Sequence, residues 1–119
     1  MATAGIYNFI MDQGSTYTVQ LVYNDPNGNP IDLTGYTAKM QLRLQYGDPV
    51  AALTLSTAVG GGIVINGPAG TIDITATDEQ TLVLEPTFYV YDLDLISGGT
   101  ITRLIQGQIT VRPEVTVNA

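Results

Sequence analysis

The sequence predicts an all-β fold of two stacked antiparallel sheets, on three observations. Apolar and polar residues alternate with a period of two through residues 16–23, 38–45 and 88–96, the pattern of strands with one face buried. Turn signals rich in Gly, Pro, Asn and Asp recur at spacings of about 8–12 residues. The 119 residues, 45% of them apolar, suffice for one packed core.

Residues 1–5 (MATAG) are small and unpatterned and are expected as a flexible arm. The sandwich is expected over 6–113 and a short tail over 114–119. A strand over 6–11 ends at Asp12-Gln13-Gly14. In 16–23, Tyr17, Val19, Leu21 and Tyr23 share a face opposite Thr16, Thr18, Gln20 and Val22. The segment 24–30 (NDPNGNP) concentrates turn chemistry: Asn27-Gly28 suits positive φ, and its prolines fix φ and lack a donor. Asp25, Asn27 and Asn29 have the spacing of the first three ligands of a calcium loop. Pro30, however, stands where that loop requires glycine, and Tyr36 where it requires a bidentate Glu, so the segment reads as a plain turn. Ile31 and Leu33 form an apolar plug, and Gly35 gives the backbone freedom to turn into the next strand. There Met40, Leu42 and Leu44 are assigned to the core and Lys39, Gln41 and Arg43 to the open face.

A turn at 46–49 leads to a strand over 51–57 with Leu53 and Leu55 inward. The run Gly60-Gly61-Gly62 lacks the Gly-Lys-Ser/Thr of a phosphate cradle and reads as a link. Strands follow at 63–65 and 71–76, the second with Ile72 and Ile74 inward. Thr77 with Gln80 three residues on is a capping box. It predicts one short helical turn near residues 78–83, with Leu82 and Leu84 plugging the end of the sandwich. In 88–96, Tyr89, Tyr91, Leu93 and Leu95 take the core face, opposite Phe88, Val90, Asp92 and Asp94. A turn at 97–100 returns the chain as a strand over 101–111, with Gly107 as its bulge.

Placing the strands of Met40, Tyr91 and Ile105 side by side, as in an immunoglobulin-like topology, puts Lys39 and Arg43 on the same exposed face as Asp92 and Asp94. Ion pairs there, at roughly 0.2–1 kcal/mol each, set register more than stability. Paired carboxylates also hydrolyse glycosides when held about 5–5.5 or 6.5–9.5 Å apart. A flat strand face in a chain without tryptophan favours the ion-pair reading. With no histidine, Ser15, Ser56 and Ser97 have no imidazole to activate them. With no cysteine, disulfides and thiolate metal sites are excluded. No enzyme activity, cofactor or metal is expected. A net charge of −7 repels phosphate backbones, so nucleic acid is not an expected partner. Nor is a membrane, since no stretch nears the ~20 apolar residues of a span. The first residues lack the basic region of an export signal, so synthesis in a cytoplasm is expected. Tyr7, Tyr36 and Tyr46, at turns or ends, are either interface candidates or merely exposed rings. Val115 and Val117, in the β-prone tail, are further interface candidates.

Four segments, in this order and spacing, resemble a known family: Asp12-Gln13-Gly14-Ser15-Thr16, Gly28-Asn29-Pro30, Asp32-Leu33-Thr34-Gly35-Tyr36-Thr37-Ala38 and Met40-Gln41-Leu42-Arg43. Nearly the whole chain is similar to small virion proteins of tailed bacteriophages and to the N-terminal domain of phage baseplate upper proteins. The resemblance implies an immunoglobulin-like sandwich and a non-catalytic structural role in the virion, made in the host cytoplasm. It also implies other virion proteins as partners and a homo-oligomer in a symmetric particle, at tail, baseplate, neck or as capsid decoration. A reading of another class is a carbohydrate-binding module for surface attachment. That reading needs aromatics on an outer sheet face, where Phe88 alone is placed.

Overall fold

The computed structural model describes residues 5–115. In chain order the elements are β1 (Gly5–Ile6), β2 (Phe9–Asp12), β3 (Tyr17–Val22), β4 (Thr37–Arg43) and β5 (Leu53–Ser56), then β6 (Ile63–Asn66) and β7 (Thr71–Ala76). The helical turn α1 (Asp78–Leu82) follows, and β8 (Phe88–Ser97) and β9 (Thr100–Arg112) close the chain. One sheet has the order β1-β9-β8-β4-β5, with β2 also on β9, and the second has the order β3-β7-β6. This all-β sandwich divides its strands in the immunoglobulin-like way. Pairing is antiparallel except along one edge, where β1 and β2 run parallel to β9. The expected strand over 6–11 is therefore two short pieces, interrupted at Tyr7-Asn8.

The core lies between the sheets and is filled by alternate residues from each. Met40, Leu42, Leu93 and Ile109 of the larger sheet meet Ile72 and Ile74 of the smaller one. Leu33 plugs one side, and Met11 seals the edge carried by β2. Gly28 and Gly35 both hold φ near +85° (85° and 84°), the left-handed region that a side chain disfavours. Asn27 has no positive φ; its N–H donates to Asp25 Oδ1 at 2.9 Å, an Asx turn that closes the loop.

The capping box at α1 forms as the sequence indicates. Gln80 N–H donates to Thr77 Oγ1 at 3.2 Å, and Thr77 N–H donates to Gln80 Oε1 at 2.9 Å. The plug differs from expectation. Leu84 is buried, but Leu82 is 45% exposed and Thr81 takes its place in the interior. The Thr81 hydroxyl donates to the Ser15 carbonyl (2.8 Å) and accepts from Gly14 N–H (3.1 Å). Gln13 Nε2 meanwhile donates to the Leu84 carbonyl at 3.0 Å. The turn after β2 thus caps the end of α1 from a distant part of the chain, and that hydrogen bonding draws Thr81 inward. Leu44 is a second departure: β4 ends at Arg43, the alternation stops, and Leu44 is left 53% exposed.

Tyr89, at the start of β8, is buried and donates from its hydroxyl to the Glu85 carbonyl at 2.9 Å. This is the tyrosine corner of immunoglobulin-like sandwiches, pinning the entry to β8. The bulge in β9 is not at Gly107. Leu93 pairs with Ile105 but Asp94 pairs with Arg103, so Leu104 is the extra residue, and Leu104 and Ile105 are both buried. Gly107 answers a different need. A Cβ there would collide with the Tyr7 carbonyl oxygen where the interrupted first strand crosses β9.

Tyr89→Phe is expected to lower unfolding free energy by about 1 kcal/mol through loss of that hydroxyl contact. Gly107→Ala is expected to cost more, about 1–3 kcal/mol, because backbone and not a pliable side chain stands in the way. Urea denaturation of the two variants checks both the order and the sizes.

Candidate functional site

The outer face of the larger sheet gathers most of the charged side chains that the sequence singles out. In register, Lys39 lies opposite Asp94, Gln41 opposite Asp92, and Arg43 opposite Val90. On the other side of β8, Asp92 faces Gln106 and Asp94 faces Arg103. Lys39, Arg43, Asp92 and Asp94 therefore share one face, but the expected pairs among them do not form. The cation that joins the two carboxylates is Arg103, with Nη2 3.3 Å from Asp92 Oδ2 and Nε 3.9 Å from Asp94 Oδ1. Arg43 turns instead to the loop after β4, donating from Nη1 to the Asp48 carbonyl and from Nη2 to Gln41 Oε1, both at 2.8 Å. Lys39 makes no ion pair among the described residues.

Arg103 was available to sequence reading through its phase. It shares parity with Ile105, Ile109 and Val111, so an unbroken period of two would drive a guanidinium into the core. The bulge at Leu104 resets the phase and delivers Arg103 to the outer face beside Asp94. Gln106 lies next to it, accepting from Arg103 Nη1 at 3.2 Å.

Together these groups line a shallow depression of about 280 Å³, with Tyr46 and Gly47 at its rim. Tyr46 is 79% exposed. Within it, Asp94 Oδ1 is screened from solvent and accepts no hydrogen bond among the described residues, since Arg103 Nε at 3.9 Å is within charge attraction but too far to donate. Burial first, and the neighbouring Asp92 second, raise the Asp94 pKa above the usual carboxylate value, with Arg103 opposing. The two carboxylates share a guanidinium and do not flank an open gap. Larger surface grooves lie elsewhere: one of about 330 Å³ is lined by residues 12–15 and 113–115, and two of about 400 and 480 Å³ hold few charged groups. Of those two, one runs between Tyr7 and residues 20–24 and the other between Gly60 and Val83.

The interface candidates fall in different surroundings. Tyr7 is exposed, yet its backbone is an anchor: its N–H donates to the Gln106 carbonyl at 3.0 Å, and its carbonyl accepts from Tyr91 Oη at 2.7 Å. Tyr36 is half buried against the core, Val115 is exposed, and Val117 lies outside the described residues, as do 1–4 of the expected arm and 116–119 of the tail. Among the described residues, no three metal-ligating side chains cluster, and no helix is long and apolar enough to cross a membrane.

Fold and site together define a small two-sheet sandwich whose basic side chains lie on strands of one sheet. No protein-family model and no curated protein sequence matches the chain. Among solved structures, it is similar to the N-terminal domain of phage TP901-1 ORF48, with a TM-score of 0.51 and 13% identity over 91% of this chain and 85% of that one. Matches extend to 205 solved chains, so this likeness establishes the fold, one that a phage protein also uses, and not an activity.

The Tyr91 hydroxyl is raised well above its ordinary value, by burial first and then by the phenols of Tyr17 and Tyr7. A folded-state value above the unfolded one means that the contribution is complete below pH ~10 and is lost as pH climbs through the folded-state value. Stability should thus hold to about pH 9.5 and then fall, and less steeply in Tyr91→Phe, as followed by urea unfolding at stepped pH. On the outer face, Arg103→Ala is expected to raise the Asp94 pKa further, read by carboxyl-carbon NMR titration. An unchanged titration would mean that Arg103 does not act on Asp94.

Proposed function

We propose that this chain is a non-catalytic structural component of a bacteriophage virion, an immunoglobulin-like module that docks into the particle at tail, baseplate or neck, or as capsid decoration. The observation that carries the reading is the likeness of nearly the whole chain to the N-terminal domain of a phage protein. The sequence segments that resemble phage virion proteins agree with it. So does the chemistry of the outer face, where Asp92 and Asp94 both face the Arg103 guanidinium and do not stand free as an acid–base pair.

The means of docking is edge pairing. On one side of the sandwich the sheets are stitched together, Ser56 N–H donating to the Gly61 carbonyl and Thr75 N–H to the Gly62 carbonyl. On the other side, among the described residues, β3 pairs only with β7, and β1 and β2 pair only with β9. An exposed strand edge presents backbone donors and acceptors that a neighbouring chain completes as an added strand. Other virion proteins, and further copies of this chain in a symmetric particle, are the proposed occupants.

The test is to mix the purified chain with the tail, baseplate, neck and capsid proteins of one particle and measure mass by light scattering. Co-assembly with a particle component is expected, followed by density for the sandwich in electron micrographs of the virion. A chain that stays monomeric in every mixture and is missing from purified virions would overturn the proposal.

A further inference from the structure

We propose that the depression on the outer face of the larger sheet is a binding site for a neutral saccharide unit. This site is separate from the edges proposed for docking and does not depend on the structural role. Its lining combines two carboxylates (Asp92, Asp94), two guanidiniums (Arg43, Arg103), the amide of Gln41 and the exposed ring of Tyr46. The charges nearly cancel. A free anion would meet the carboxylates and a free cation the guanidiniums, each at close range. A sugar ring carries hydroxyls that donate to carboxylates and accept from guanidinium or amide N–H groups at once, so its groups match this set without a net charge to desolvate.

Two further features fit the same class. Among the described residues the Asp94 Oδ1 atom has no hydrogen-bond donor, and it lies beside Arg103, a side chain 54% exposed. A hydroxyl entering beside Arg103 would supply the missing donor, a strong preference for an otherwise unpaired acceptor. Tyr46 stands at the rim with its ring open, an amphipathic surface for the C–H face of a sugar. Its loop is held in place by the Arg43 bond to the Asp48 carbonyl. A volume of about 280 Å³ suits a single ring and is small for a larger ligand.

The experiment is an NMR titration of the ¹⁵N-labelled full chain with glucose, galactose, N-acetylglucosamine and N-acetylglucosamine oligomers. Glycerol phosphate and calcium serve as charged controls. Saturable shifts at millimolar sugar are expected at Tyr46, Gly47 and the side-chain amides of Gln41 and Gln106. Tyr46→Ala and Asp94→Asn should each weaken binding by about tenfold, whereas Phe88→Ala, 60% exposed but outside the depression, should leave it unchanged. Tyr46 makes no core contact, so its variant should keep the remaining spectrum. Absence of shifts with every sugar, shifts with the charged controls alone, or shifts centred on Phe88 would each overturn the proposal.

Discussion

The strict alternation along β8 is the constraint on which the molecule depends. With β4 on one side and β9 on the other, both of its edges are consumed, and its two faces must serve opposite environments. Tyr89, Tyr91, Leu93 and Leu95 go into the core, while Asp92 and Asp94 stay outside. A slip of one residue would exchange these sets, exposing four apolar side chains and burying two carboxylates. Burial of even one such charge costs several kcal/mol, so the register has no close competitor. The charged outer face is therefore a consequence of the same registration that builds the core.

The long strand β9 takes up what β8 leaves unsolved. Near one end it receives β8 alone and carries the bulge at Leu104. Beyond that it must also accept β1 and β2 in parallel on its other edge. Those two requirements meet at Gly107. The interrupted first strand comes so close there that no side chain fits, and the Tyr7 carbonyl accepts a hydrogen bond from the Tyr91 hydroxyl. A buried tyrosine of β8 thus holds the strand two places away, which is how the exposed segment at Tyr7 becomes continuous with the core. The approach of backbone to backbone, and not a turn, is what requires glycine at this position.

Much of this was legible in the sequence, and the reasons for the rest are specific. Met40 and Leu42 of β4, the inward sets of β7 and β8, and the capping box of α1 follow from local rules and appear as read, because each element buries one face or closes its own end. Leu44 and Leu82 were misassigned because a period extrapolated past the end of an element has no force. The parallel joining of β1 and β2 to β9 left no local trace, since any short β-prone segment pairs where tertiary structure offers an edge. The outer-face ion pairs were legible as a face but not as partners. The register did place Lys39 beside Asp94, yet a bulge in a third strand brought the Arg103 guanidinium within 3.3 Å of Asp92 and 3.9 Å of Asp94. The turn at Gln13 carried no sign of its work at α1, as it acts on residues far along the chain.

The distribution of charge connects the core to the surface roles. Lys39, Arg43, Arg103 and Arg112 are all of the chain's basic side chains, and all four lie on strands of the larger sheet with their side chains on its outer face. Arg112 there binds Asp12, holding that carboxyl below its usual pKa. Among the described residues, the acids of the loops, of α1 and of the smaller sheet form no ion pair. With Asp12, Asp92 and Asp94 set against these four cations, that outer face is nearly neutral in a chain whose net charge is −7. Self-repulsion falls on the remaining surface and discourages copies from associating there at random. Contacts that use the larger sheet, or the edge of β1 and β2 beside it, meet the least repulsion. An acidic chain that spends every cation on one sheet face has in effect selected the side from which a neighbour or ligand can approach.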